Sequence, residues 1–362
     1  MTDFPSYFLD FLKENEIEMK EYSYKEIPRY FRLKKPDVES LLSIDYQPVD
    51  WFEEFYQTSS NTNIASLEVY KAGLLYGLDV TSGIAARALD VEPDDHILDI
   101  CCAPGSKLCY LADLLGENGT GTVTGVDISK ERLYTCKSLI QKYKLGRARV
   151  FLADGTTFNV PAPTRVGSKV LHSELKKRKN PEDESTEVKP NKELKKQRLA
   201  QSLKPFHATR LIRNDPQIKG YLYDKVIVDA ECTHDGSIAH MQKYFDNGWQ
   251  GFQEQFLNPE RLTGLQTLQR SLLQNGYNLL KKNGILVYST CSFSPKQNED
   301  ILNWFLQENK DADCVQIAGS ERYPVAPLKM REGYDDRIKN CLRFSPTASR
   351  TSGLFIAKIR KL

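Results

Sequence analysis

Short apolar runs along this chain each close on a polar or small residue, and they alternate with longer stretches whose apolar positions recur at helical spacing. The first clear pair is the strand-like His96-Ile-Leu-Asp-Ile100. After a small-residue turn at Ala103 to Ser106 comes the helical pattern of Leu108-Cys-Tyr-Leu-Ala-Asp-Leu-Leu115. Gly121-Thr-Val-Thr-Gly-Val-Asp127 predicts a second strand, Ala148-Arg-Val-Phe-Leu152 a third, Val226 to Val228 a fourth and Gly284-Ile-Leu-Val-Tyr288 a fifth. Strands separated by helical segments predict an α/β fold on an open, largely parallel sheet, whose chemistry collects beyond the C-terminal strand ends. Upstream, Tyr7-Phe-Leu-Asp-Phe-Leu12 predicts an amphipathic helix and Pro28-Arg-Tyr-Phe-Arg-Leu-Lys-Lys35 a basic strand and turn. Leu78 to Leu89, with Ala and Ile spaced for a core face, predicts the helix that leads into the first strand.

One stretch breaks the pattern. Thr164 to Leu203 is poor in aromatics and rich in Lys and Glu, which predicts a disordered or partly helical insert between the third and fourth strands. From Lys169 to Lys204 there are eleven basic and six acidic residues, so this segment carries +5 of a net +2 and the rest of the chain about −3. Its clusters Lys176-Lys-Arg-Lys179 and Lys195-Lys-Gln-Arg198 read equally as a nuclear signal, a phosphate-attracting tail or a solvated loop. They are the ground for expecting the nucleus or nucleolus rather than the cytoplasm.

At 362 residues and 40% hydrophobic content the chain exceeds one typical domain and can bury a sizeable core. It shows no secretory apolar region and no apolar run long enough to span a bilayer, and its N-terminus is acidic rather than Arg-rich, so no membrane partner or presequence is expected. Eight cysteines without C-x-x-C spacing argue against a zinc site or a disulfide framework and for a reducing compartment. His96, His172, His207 and His240 show no ligand spacing, and no metal is expected.

The strand ends carry the candidate chemistry. Small residues from Ala103 to Ser106 let a ligand approach the backbone, and the helix start behind them offers free N–H groups. Asp127, ending the second strand, suits the hydroxyls of a ribose, with Arg132 in the next helix, and Asp154 beyond the third strand suits an adenine amino group. There is no full G-x-G-x-x-G, so this order of strands and acids fits S-adenosylmethionine (AdoMet) as readily as a dinucleotide. The fourth strand ends in Asp229, with Cys232 three residues on, and the fifth runs through Tyr288-Ser-Thr-Cys291 into Pro295 and the acids Glu299 and Asp300, a helix start. A parallel sheet brings Asp229, Cys232 and Cys291 to one crevice. Taken alone, Cys291 is as easily a core residue as a reactive thiol. Together, an acid and two thiols beside a nucleoside cofactor suit methylation at carbon 5 of a pyrimidine. A thiolate must first add to carbon 6 to make carbon 5 nucleophilic, while a carboxyl group supports N3.

These motifs resemble the NOP/Sun-type (RsmB-like) AdoMet-dependent RNA cytosine-C5 methyltransferases, from about residue 70 to the C-terminus apart from the insert. Asp99-Ile-Cys-Cys-Ala-Pro-Gly-Ser-Lys107 is similar to the family's AdoMet loop, which usually has Ala at the place of Cys102 and Gly or Ser at that of Ser106. Tyr288 to Ser292 with Asn298-Glu299 is similar to its nucleophile motif, and Arg343-Phe-Ser-Pro through Lys358 to its closing hairpin. The resemblance implies a Rossmann-like class I methyltransferase with a seven-stranded, mostly parallel sheet whose last strand is antiparallel. A small N-terminal α/β domain (1–65) would precede the catalytic domain (66–362), which contains the 164–203 insert. It further implies Cys291 as nucleophile, with Cys232 assisting release of the product. Asp229 would engage the base and border the cofactor, and Lys107 would share both settings. AdoMet would lie against Cys102, Ala103, Pro104, Gly105, Ser106, Lys107, Asp127, Arg132, Asp154 and Asp229. The partner implied is RNA, either tRNA or rRNA, bound by a monomer.

One departure stands out. The family's fourth motif usually reads Asp-x-Pro-Cys, then Ser or Thr and Gly, whereas this chain has Asp229-Ala-Glu-Cys-Thr-His234. Glu231 in place of proline predicts a looser turn with an extra charge. Cys232 remains a rival nucleophile, since DNA C5-methyltransferases attack from this motif. The aromatic-rich segment from His234 to Phe256 predicts a lid helix with core contacts, and His234 and Trp249 are its candidates for stacking on an extruded base. The alternative to an enzyme is a methyltransferase-like RNA-binding or assembly factor with little turnover. A small-molecule or protein methylase fits less well, since neither needs paired thiols.

Overall fold

The computed structural model describes residues 4–24, 26–163, 203–212 and 222–362. The basic clusters of the expected insert and His172 lie outside these residues. In chain order the N-terminal elements are α1 (Ser6–Glu14), β1 (Arg29–Leu33), β2 (Gln47–Pro48), β3 (Phe55–Thr58), the one-turn α2 (Glu68–Lys71) and β4 (Leu75–Gly77). Next come α3 (Val80–Arg87), β5 (His96–Ile100), α4 (Ser106–Leu114), β6 (Thr122–Asp127), α5 (Lys130–Lys142), β7 (Ala148–Leu152) and β8 (His207–Ala208). The chain ends with β9 (Tyr223–Asp229), α6 (Ile238–Asn247), α7 (Gln250–Phe256), α8 (Pro259–Asn278), β10 (Leu280–Thr290), α9 (Glu299–Glu308), β11 (Ala312–Cys314), β12 (Leu342–Phe344), α10 (Pro346–Ser349) and β13 (Leu354–Lys361).

The large sheet runs β11-β13-β10-β9-β5-β6-β7-β8, with β12 on β13. Strands β7, β6, β5, β9 and β10 are parallel and β13 is antiparallel to β10, so the expected seven-stranded frame is present, extended by the short β8 and β12. Alternation along each strand sends side chains to two cores. Ile97, Val123, Ile227 and Val287 pack beneath Ile84, Leu108, Leu111 and Leu133 of α3, α4 and α5. Leu98, Val226, Leu286 and Tyr288 pack beneath Leu272, Tyr277, Ile301 and Phe305 of α8 and α9. Helices on both faces account for the near-continuous apolar runs that mark these strands in the sequence. The helix starts are capped: Asp79 accepts from Thr81 N (2.9 Å), and Asn258 accepts from Arg261 N (2.9 Å) ahead of Pro259 in the first turn of α8.

The small sheet, β2-β3-β1-β4, is antiparallel and takes its fourth strand from Leu75–Gly77, beyond residue 65. The basic run of β1 is used inside the molecule. Arg32 is buried, donates to Asp113 Oδ2 of α4 at 2.6 Å and lies 4.8 Å over the Tyr110 ring, while Lys34 donates to the Tyr143 carbonyl at 3.1 Å. Helix α1 leaves this sheet altogether and presses Phe8, Phe11 and Leu12 against Ile238, Met241 and Phe252 of α6 and α7. No helix among the described residues is long and apolar enough to cross a membrane.

Candidate active site

The chain turns sharply after β5. Cys101 (φ +65°) and Gly105 (φ +109°) both lie in the left-handed region, and α4 begins at Ser106. At Gly105 a Cβ would stand 3.1 Å from both Cα and Sγ of Cys136, so the turn can lie this close to α5 only with glycine there. Asp127, at the end of β6, holds the loop from the side by accepting from Ala103 N (3.0 Å) and Ser129 N (2.9 Å). Arg132 donates to the Ala103 carbonyl and lies 3.9 Å from Asp127.

Two adjoining cavities of about 230 Å³ each open along this loop and share Asp79, Ser82, Cys101, Ala103, Lys107 and Asp229. One extends to Asp99, Cys102, Pro104, Gly105 and Ser106, the other to Arg132, Glu231, His234 and Cys291. Asp154 lines neither; its Oδ1 accepts from Thr156 N and Oγ1 at 2.8 and 2.7 Å. Asp99, which opens the segment similar to the AdoMet loop but carries no role of its own from sequence, lines one of these cavities. Its side chain is buried, both carboxylate oxygens lack a hydrogen-bond partner, and burial followed by the nearby Asp229 carboxylate pushes its pKa well up. A carboxylate left in that condition at a cavity wall calls for a donor or cation from a ligand. Together with the glycine turn, which the acid ending β6 braces from beside the cavity, it lines a pocket whose residues fit a cationic nucleoside cofactor. The sequence signal was an acid inside an otherwise apolar strand.

At the junction of the cavities Lys107 donates to Asp229 Oδ2 at 2.8 Å, and Ser289 Oγ donates to Oδ1 at 2.7 Å. Burial works against the Lys107 ammonium, but the Asp229 carboxylate outweighs it and raises its pKa. The parallel pairing of Ser289 with Asp229 sets the ends of β9 and β10 side by side, and beyond them the Sγ atoms of Cys232 and Cys291 lie 3.2 Å apart. Cys291 faces the cavity and is part-exposed, whereas Cys232 is buried behind it.

Both loops that carry the thiols are tied down. Gly236 N donates to the Cys291 carbonyl (2.9 Å), Thr233 N to Gln297 Oε1 (3.1 Å) and Phe293 N to Asp235 Oδ2 (2.9 Å). Thr290 and Asn298 side chains bond at 2.6 Å, Asn298 Nδ2 donates to the Ser292 carbonyl at 2.8 Å, and Arg343 grips Glu299 through two bonds of 3.1 and 2.5 Å. Asn298 and Glu299 thus support the loop rather than enter the cavity. Glu231, from which a looser turn is expected, is bonded through both its side chain and its backbone. Its carboxylate pairs with Arg261 at 2.6 Å and its carbonyl accepts from Gln269 Nε2 at 2.8 Å, so α8 replaces the stiffness of a proline with two bonds.

The stacking roles expected of Trp249 and His234 also need correction. Trp249 packs on Phe8 with ring centroids 4.7 Å apart and on Phe4 at 5.7 Å, which fastens α1 to the lid. His234 points its Nδ1 at the sulfurs, 3.0 Å from Cys291 and 3.7 Å from Cys232. The three side-chain atoms lie within 4.8 Å of one another, close enough to exchange protons, a meeting that sequence spacing did not disclose. Burial acts to raise the Cys232 thiol, but the hydrogen bond from Cys291 and the charge of His234 overcome it and bring the pKa down to about 6. The hydrogen bond it gives Cys232, together with burial, pushes Cys291 well up. The Cys232 thiolate, acting against burial, raises His234 to about 9. These shifts favour a thiolate beside an imidazolium, with the second thiol hydrogen-bonded to the first.

A doubly wound sheet with a glycine turn after its first strand, an acid ending the second and a thiol pair beyond the fourth and fifth defines the class: a Rossmann-like methyltransferase. The model of the 16S rRNA methyltransferase RsmB/F family matches residues 86–172 and 193–360, and the chain belongs to that family. The tRNA (cytosine(49)-C(5))-methyltransferase of Pyrococcus abyssi is 25% identical over 330 residues, covering 90% of this chain and 84% of its own. Ribosomal RNA small subunit methyltransferase F of Aliivibrio fischeri is 23% identical over 323 residues, 88% of this chain, which spans only 52% of that bacterial relative. Among solved structures, a methyltransferase homolog protein from Pyrococcus horikoshii superposes with a TM-score of 0.66 at 24% identity, covering 100% of this chain and 96% of its own. NSun6 from the same organism, solved with SFG, superposes with a TM-score of 0.65 at 16% identity, covering 99% of each chain.

Proposed function

We propose that this chain transfers a methyl group from AdoMet to carbon 5 of cytosine in tRNA or rRNA through a covalent cysteine adduct. The observation that carries the reading is the thiol pair, Cys291 and Cys232 at 3.2 Å, beside the Lys107–Asp229 ion pair at the mouth of the cofactor crevice. Relatives named for tRNA cytosine-C5 and small-subunit rRNA methylation support the substrate class.

AdoMet, when bound, supplies the electrophilic methyl that carbon 5 takes up. The residues that would hold it are the Cys102–Lys107 loop, braced by Asp127, with Arg132 and Asp229, and to these we add Asp99, whose unpartnered carboxylate suits the cofactor's cationic end; Asp154 lies outside both cavities. Cys291, the sulfur that faces the cavity, adds to carbon 6. Asp229, held by Lys107 and Ser289, meets N3 of the base through a proton that its carboxyl group donates as charge collects there, and so stabilises the adduct. After methyl transfer a base takes the proton from carbon 5, the electron pair of that C–H bond restores the ring double bond, the bond from carbon 6 to sulfur breaks, and Cys291 leaves as thiolate, with Cys232 assisting that release.

The test is transfer of labelled methyl from AdoMet to total RNA from cells lacking this protein. Wild type should label cytosine C5, Cys291→Ala should lose activity by more than about 10³-fold, and Cys232→Ala should accumulate an RNA adduct that survives denaturing electrophoresis. Wild-type protein that labels no RNA would instead mark a binding or assembly factor.

A further inference from the structure

His234 stands where the family's fourth motif usually has glycine, and its φ of +56° lies in the left-handed region that glycine adopts freely and a larger residue at a cost. That backbone aims the imidazole back into the site, with Nδ1 3.0 Å from Cys291 Sγ and 3.7 Å from Cys232 Sγ. Its ring is braced by Phe256 of α7 and His240 of α6, each with a centroid 5.6 Å away. A thiol has few thiolate molecules near neutral pH, and an imidazole is the side chain suited to take its proton there.

Resting on the covalent reading above, we propose that His234 is a further catalytic residue of this chain, the base that takes a thiol proton from the Cys232–Cys291 pair. An S–H bond breaks, an N–H bond forms at Nδ1 and the electron pair stays on sulfur. The remaining thiol proton passes between two sulfurs 3.2 Å apart, so the more open Cys291 carries the charge as it adds to carbon 6. Elimination returns Cys291 as thiolate, and the cluster regains its starting charge. A cysteine–histidine pair of this kind is the usual way to activate a thiol. Here it is built from a residue whose backbone geometry would ordinarily exclude it.

The ionisable groups that face the imidazole come from several elements. Asp229, Glu231 and Cys232 on its own loop favour the charged form, and His240 of α6 opposes it. Cys291 meets it from the β10 loop, with Lys107 of α4 acting on that thiol in turn. The hydrogen bond from Cys291 and the charge of His234 act against burial to lower the Cys232 thiol.

The test follows alkylation of Cys291 by iodoacetamide against pH, mapped by peptide mass, with no RNA or AdoMet present. His234→Gly suits the backbone and removes the base. His234→Asn tolerates the same conformation, keeps a polar side chain and cannot take the proton. Both variants should shift the acid limb upward by about two units or more, which at pH 6.5 slows alkylation on the order of 50-fold. Added imidazole should restore part of the rate in His234→Gly, and unchanged unfolding midpoints would show that both variants fold. Identical pH profiles for wild type and both folded variants would overturn the role of His234. Methyl transfer is measured alongside: shifted alkylation with a wild type that methylates no RNA would refute the proposed function and leave the thiol activation standing.

Discussion

At the scale of single residues, the site turns on groups whose roles depend on what lies beside them. Cys291 was legible because its surroundings are local: an apolar strand, a turn and a proline-led helix start lie within a dozen residues of it. Asp99 and His234 were not. An acid in an apolar strand looks like an edge residue until the fold buries it, and a histidine among aromatics looks like a stacking ring until a positive φ turns it toward two sulfurs. Asp99 yields a prediction that separates binding from stability. Asp99→Asn should weaken AdoMet binding by roughly 10-fold or more, measured by calorimetry, because a charge-assisted bond is lost. It should not lower the unfolding midpoint of the free protein, since the buried carboxylate makes no hydrogen bond within the protein and burial works against its charge. Unaltered affinity would remove Asp99 from the cofactor site.

At the scale of elements, the two thiol loops are held by residues distant in sequence. Arg343 of β12 reaches Glu299 at the start of α9 and the Phe293 carbonyl at 2.8 Å, so the closing hairpin braces the Cys291 loop. Both members of the pair are almost fully buried, and removing one strands the other's charge. Arg343→Met should therefore cost about 3–5 kcal/mol of stability in denaturant unfolding, far more than the loss of a surface pair. A cost below about 1 kcal/mol would mean that the loop holds without this brace. The Arg261–Glu231 pair is partly exposed, and its loss should be felt more in the position of the Cys232 turn than in stability. Motif residues such as Asn298 and Glu299 were visible in the sequence, but their partners were not, because hydrogen bonds across 44 residues leave no periodic trace.

At the scale of the whole molecule, the N-terminal part is joined to the rest of the chain at several places, among them β1 through Arg32 and Asp113, Phe55 on the Tyr110 ring, and α1 through its aromatic contacts with α6 and α7. Phe8 is fully buried among Phe4, Phe11, Tyr22, Trp249 and Phe252. Phe8→Ala should cost about 3–5 kcal/mol. Because the lid helices lose their support, it should also raise KM for RNA, while Cys291 alkylation keeps its rate. An unchanged unfolding midpoint would show that α1 is only loosely attached. The order of strands and helices, the parallel sheet and the acids and thiols at its strand ends were determined by the sequence itself, since alternation, helical spacing and turn residues act over a few neighbours. The tertiary structure alone decided that β1 spends its basic residues on internal bonds, that Asp99 is left without a protein partner, and that His234 meets two cysteines. The thiols stand 59 residues apart in the chain and meet only because neighbouring parallel strands end together, a long-range register that no local pattern encodes.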